Sequence, residues 1–128
     1  MKFKTLFFAF LLVSTGAIAQ EGTPLTGAQI SDLFIGKTFN IENLETGKSL
    51  QAYTPDESKY LVNIHWKNKI SKRKWWLEGD KRCRSHPKKG DSCVTITDVG
   101  DGTYHAYDDK GNHIRVLSNF VEGKNFTM

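Results

Sequence analysis

The sequence predicts a single, mainly β domain in which an antiparallel meander closes into a small barrel or a two-layer sandwich, with one short helix near the N-terminus. Short stretches with apolar residues at every second position recur along the chain, and clusters of Gly, Asp, Asn and Pro separate them. Only one segment has helical spacing, so the strands have to bury their apolar face mainly against one another. The chain has 128 residues, a suitable length for one such domain.

The first 19 residues have the pattern of a secretory signal peptide. Two lysines precede an apolar run over residues 6–13, and Ala17-Ile18-Ala19 is the small-residue pattern expected before a cleavage site. We therefore expect a mature domain of residues 20–128 that is exported to the periplasm or the extracellular space. No later apolar run approaches the roughly 20 residues of a membrane helix, so the sequence predicts no integral span in the mature chain.

The elements follow from local spacing. Thr26 and Gln29 have the spacing of a capping box, and apolar residues at helical intervals follow, which predicts one short helix. Alternation with a period of two then predicts a hairpin over 37–42 and 49–53 and a third strand over 60–66. The same reasoning, with turn residues between the segments, predicts further strands over 74–77, 92–97, 103–107 and 113–117.

The two cysteines, Cys83 and Cys93, both lie in the predicted mature domain. An even number of cysteines in an exported chain predicts one disulfide bond, which would close a short loop. His86 lies between them, but these three residues lack the four-ligand spacing of a zinc site and the spacing of haem attachment. The sequence therefore predicts neither a metal site nor a cofactor.

The charge distribution is the most unusual feature. Residues 67–89 contain ten Lys or Arg side chains and two acidic ones, a local charge of +8, although the whole chain carries only +4. A dense positive segment attracts the phosphates of nucleic acid or lipid A, or other anionic polymers of the cell envelope, while specific nucleic-acid recognition is not indicated. The alternative is that these residues are the solvated edges of hairpins, where Lys also discourages aggregation.

Trp76 is the candidate contact residue within this basic segment. Adjacent strand residues point to opposite faces, so Trp75, which shares a face with Leu77, is expected in the core and Trp76 at the surface. An exposed indole among cations can stack on a sugar or a base. We therefore predict a non-catalytic protein that binds an anionic polymer or a protein partner through Trp76, Lys72, Arg73, Lys74, Arg82 and Arg84.

Two other functions stay open at this point. A small secreted nuclease could use His65 and His105 as base and acid, with Lys67 stabilising the transition-state charge. No nucleophile elbow or metalloprotease motif accompanies these histidines. An inhibitor of a hydrolase could instead present the disulfide-closed loop between Cys83 and Cys93.

Several short motifs follow one another along the predicted mature chain: Leu25-x-Gly27-x-x-Ile30, Gly36-Lys37-Thr38, an aromatic residue after a Pro-Asp turn, Trp75-Trp76, Cys83, Cys93-Val94, Asp101-Gly102-Thr103-Tyr104 and Asp108-x-x-Gly111. In this order they resemble small exported β-rich proteins of Gram-negative bacteria that carry a domain of unknown function. The resemblance covers most of the mature chain and implies export, a β fold and a disulfide. It implies no catalytic residues.

Overall fold

The computed structural model describes residues 22–55, 60–64 and 70–125, and only the backbone of residues 60–64 and 70. The predicted signal peptide, residues 1–19, and His65 therefore lie outside the described residues. The elements are β1 (Thr23–Pro24), α1 (Gly27–Phe34), β2 (Lys37–Asn43), β3 (Ser49–Tyr53), β4 (Tyr60–Ile64), β5 (Ile70–Glu78), β6 (Lys81–Arg84), β7 (Ser92–Gly100), β8 (Thr103–Tyr107) and β9 (His113–Glu122).

The strands form one antiparallel sheet, which confirms the predicted fold class. Each strand from β2 to β9 pairs with the next one along the chain. The last of them, β9, also pairs with β2, so the pairings return to their starting strand and the sheet closes into a small barrel. The short strand β1 is added beside the end of β7.

The helix α1 covers one end of this barrel. The predicted capping box is present, because the Thr26 side chain accepts from the Gln29 backbone N–H and the Gln29 side chain accepts from the Thr26 N–H. The N–H of Gly27 donates to Oδ1 of Asp80 at 2.7 Å, which ties the helix to the turn between β5 and β6. The opposite end of the barrel carries the loops 44–48, 85–91 and 108–112.

The core lies between the helix and the inward faces of the strands. Phe34 of α1 is fully buried and meets the Phe39 ring edge-on, with centroids 5.0 Å apart. Phe120 stacks on Phe39 from β9 at 4.7 Å. Aromatic pairs in these geometries bind the helix to the sheet and fill the helix end of the barrel. Trp75 of β5 belongs to the same core, as its alternation with Trp76 predicts.

Candidate anion-binding site

The basic segment forms the β5–β6 hairpin, and its pairing register decides where each predicted site residue lies. Trp75 is paired with Arg84, Trp76 with Cys83 and Leu77 with Arg82. Directly paired residues of antiparallel strands share a face of the sheet. The six predicted residues are therefore divided between two faces: Lys72, Lys74 and Trp76 face outward, whereas Arg73, Arg82 and Arg84 lie on the face of the buried Trp75.

On the outer face, Lys72 and Lys74 are exposed and Trp76 is half-buried. The indole N–H of Trp76 donates to Oε2 of Glu78, the next outward residue of β5, at 2.9 Å. Outward residues of one strand follow each other at about 7 Å, so the two lysines and the indole form a row along the strand. This row is the part of the predicted surface site that the structure keeps together.

The predicted disulfide is confirmed. Cys83 and Cys93 are paired residues of β6 and β7, and their sulfur atoms are bonded at 2.03 Å. The disulfide lies on the outer face beside Trp76, which is the cross-strand neighbour of Cys83. A carboxylate oxygen of Glu78 and the two sulfur atoms lie within 4.8 Å of one another. Since both sulfurs are in the disulfide, neither is available as the thiolate that a metal ion would require.

On the inner face, Arg82 is almost completely buried, with 5% of its surface exposed. Its guanidinium carbon lies 4.5 Å from the ring centroid of Phe34 and 5.8 Å from that of Trp75. Both contacts are favourable cation–π interactions. However, the Nε and Nη2 atoms of Arg82 are buried and have no hydrogen-bond partner among the described residues. A charged group with two buried N–H donors left open is rare in a native core.

Three further arginines share this inner face. Arg84 and Arg73 come from the same hairpin, and Arg115 comes from β9, where it is paired with Asn43 on one side and Ala106 on the other. All three are half-buried. Arg84 is the last residue of β6 and Arg115 is the third of β9, so both lie towards the barrel end opposite α1.

We call these four residues, Arg73, Arg82, Arg84 and Arg115, the interior arginine cluster. Burial and neighbouring positive charges disfavour the charged form of several of its guanidinium groups. Burial lowers the pKa of the Arg82 guanidinium, and the positive charges of Arg84 and Arg115 lower it further. Burial and the charges of Arg115 and Arg73 lower the pKa of Arg84 in the same way. Burial lowers the pKa of Arg115 as well, and only Glu45 opposes this. Repulsion within the cluster therefore adds to the effect of burial at Arg82 and Arg84.

No acidic side chain of the described residues forms a salt bridge with this cluster. Within the described part of the chain, the two salt bridges join Lys37 to Glu122 and Lys81 to Asp109, and neither involves the cluster. The lysines of the outer row, Lys72 and Lys74, have no salt bridge there either. Both faces of the β5–β6 hairpin thus carry positive charge that the described residues leave without a counter-ion, which is the arrangement that attracts an external anion.

Sequence reasoning missed Arg115 as a member of the cluster and the inward direction of Arg82 and Arg84. Residues 81–84 were not expected to form a strand, so the inward direction of Arg82 and Arg84 did not follow from the pattern. Arg115 was predicted within a strand but had no reason to be singled out. The sequence does contain the signal that places Arg73 in the cluster. Arg73 lies two residues before Trp75, so the two side chains share a face of the strand.

The histidines of the nuclease alternative are only partly described. The rings of His105 and His113 stack with their centroids 4.0 Å apart, and the ring of Tyr107 stacks on His113 with a centroid distance of 5.1 Å. The proposed partner His65 and the assisting Lys67 lie outside the described residues. The nuclease and the hydrolase inhibitor therefore stay predictions.

Comparison with known proteins gave no relative. The chain matches no protein-family model, no curated protein and no solved structure. Across the described ranges, no helix is both long and apolar enough to cross a membrane. The disulfide is compatible with an oxidising, exported environment.

Proposed function

We propose that this protein is a non-catalytic, exported binding protein whose ligand is an anionic polymer of the cell envelope. The observation that carries the proposal is the outward row of β5, in which two exposed lysines without a salt bridge among the described residues precede a half-buried indole. Lys72 and Lys74 supply charge, and the exposed part of the Trp76 ring supplies a flat apolar surface for a sugar.

The bound polymer would run along the strand. The Cα atoms of Lys72 and Lys74 are separated by about 7 Å, because outward residues alternate with inward ones along a strand. Successive anionic groups of an extended polymer can meet both cations at this spacing. Attraction to exposed lysines is screened by salt, so the affinity should fall steeply as the ionic strength rises.

The test is the binding of fluorescent dextran sulfate, measured by anisotropy over a series of NaCl concentrations, with uncharged dextran as the control ligand. The double variant K72E/K74E should bind roughly 30-fold more weakly or worse, because each Lys contributes about 1 kcal/mol near an anionic surface. The matched control is K48E/K110E, which makes the same change in net charge at two exposed turn positions outside the hairpin. This control should bind nearly as well as the unchanged protein.

The indole is tested separately by Trp76→Ala. Loss of stacking should weaken dextran sulfate binding while leaving the slope of affinity against salt unchanged, because no charge is removed. Salt-insensitive binding, or equal losses in K72E/K74E and K48E/K110E, would overturn the proposal. A gel assay for RNA cleavage, run on the same samples, distinguishes the nuclease alternative.

A further inference from the structure

The interior arginine cluster is a second positively charged site, distinct from the outer row. The geometry points to a small-molecule site inside the barrel, in which the open edge of Arg82 binds the oxyanion group of a ligand, a carboxylate or a phosphate. This inference does not depend on the proposed polymer binding, because it concerns the opposite face of the hairpin.

The first argument is the hydrogen-bonding geometry of Arg82. Its two open donors, Nε–H and Nη2–H, lie on one edge of the planar guanidinium and point in nearly the same direction. Two oxygens of a carboxylate or a phosphate match this edge and accept both hydrogens at once. The contacts with Phe34 and Trp75 engage the guanidinium group without using either of these donors.

The second argument is charge. Leaving a buried cation unpaired is costly, and none of the four arginines of the cluster forms a salt bridge in the described ranges. A bound oxyanion would complete the hydrogen bonding of Arg82 and reduce the mutual repulsion of Arg84 and Arg115. The Nε atom of Arg115 is also buried, and none of the described residues accepts its hydrogen, so it offers a further donor within the same cluster.

The third argument is access. Arg82 lies beneath Arg84, and Arg84, Arg73 and Arg115 are all half-buried and therefore reach solvent. The helix α1 covers the other end of the barrel. An anion would thus enter from the end that carries the loops 85–91 and 108–112, pass the half-buried arginines, and meet Arg82 last. The aromatic rings of Phe34 and Trp75 form the apolar surroundings of that deepest position.

The experiment titrates the unchanged protein with inorganic phosphate and, in a second arm, with acetate, while chloride at matched ionic strength serves as the control. The ¹⁵N-resolved NMR signal of the Arg82 Nε–H reports on the site directly, because a new hydrogen bond shifts it. We expect a saturable shift with phosphate, acetate or both, and no comparable shift with chloride. The responding arm identifies the class of oxyanion.

The variant Arg82→Lys keeps a positive charge but has no planar two-donor edge. It should weaken the binding of the responding anion at least tenfold by calorimetry. Three results would overturn the inference: an Arg82 signal that ignores both oxyanions, an equal response to chloride, or unaltered affinity in the Lys variant. If the Lys variant does not fold, the NMR titration of the unchanged protein decides alone.

Discussion

Replacing Arg82 by methionine should make the ligand-free protein more stable, although the Arg82 side chain is buried in the barrel. The substitution removes two buried donors that lack a partner in the described part of the chain, and each such donor costs about 1–3 kcal/mol. It also removes cation–π contacts with Phe34 and Trp75, worth roughly 0.5–2 kcal/mol each. Methionine is unbranched and flexible, and its sulfur contact with an aromatic ring returns about 0.3–1.5 kcal/mol.

The balance favours the variant by about 2 kcal/mol, near the middle of these ranges. For a domain of this size such a gain raises the midpoint of thermal unfolding by roughly 10 °C. The assay is urea and thermal denaturation in a buffer free of phosphate and carboxylates. Arg84→Met is the matched control, and it should gain less because solvent reaches Arg84. Our reasoning would be refuted by an Arg82→Met variant that is less stable than the unchanged protein by 1 kcal/mol or more.

Three further results are expected. Replacing Cys83 and Cys93 together by Ser should lower the free energy of unfolding by roughly 3 kcal/mol, as measured with urea, because the bond closes a loop with a sequence separation of 10; reduction of the unchanged protein by dithiothreitol should match this loss. Gly27→Ala should destabilise the protein by roughly 1–3 kcal/mol in the same assay, although Ala normally favours a helix, because its Cβ would lie 2.6 Å from the carbonyl oxygen of Gly79; a stabilised variant would contradict this. His86 should titrate below its ordinary pKa of 6.5, because burial and the charges of Arg73 and Lys89 disfavour the cation. The neutral Nδ1 of His86 accepts hydrogen bonds from the backbone N–H groups of Lys88 and Lys89. The stability that these bonds give to the loop should therefore be present above the ordinary pKa and be lost as the pH falls through the lowered pKa of His86. NMR of the imidazole measures the pKa, and NMR of the two amides measures the order of the loop.

Much of the fold was predictable because local chemistry and the final structure agree. The capping box of Thr26 and Gln29 fixes the start of α1, and the alternation around Trp75 and Trp76 assigned the two rings to opposite faces correctly. The sequence alone could not decide between a barrel and a sandwich. It depends on the pairing of β9 with β2, a contact between distant segments that no local pattern specifies.

The site was less predictable, and β6 is the reason. Its residues, Lys81–Arg84, contain three cations and one cysteine, which gives no alternation of apolar and polar side chains. Because no strand is recognisable there, the sequence alone predicts that all cations of the segment lie on one surface. The pairing of Leu77 with Arg82 places that arginine in the barrel instead. Tertiary pairing therefore overrides a composition that on its own indicates a solvated surface.

The position of Arg82 links stability to binding. A core that evolves only for stability would lose an unpaired interior cation, because many apolar side chains fit the space beside Phe34 and Trp75 at lower cost. The interior arginine cluster is then explained if the cost is recovered when an anion occupies it. This predicts two results for one variant. Without phosphate or acetate, Arg82→Met should unfold at a higher temperature than the unchanged protein. When the anion that binds is added, the unfolding temperature of Arg82→Met should rise by less than that of the unchanged protein. If the anion raises the unfolding temperature of both proteins equally, Arg82 does not contribute to anion binding, and this explanation of the buried cation is wrong.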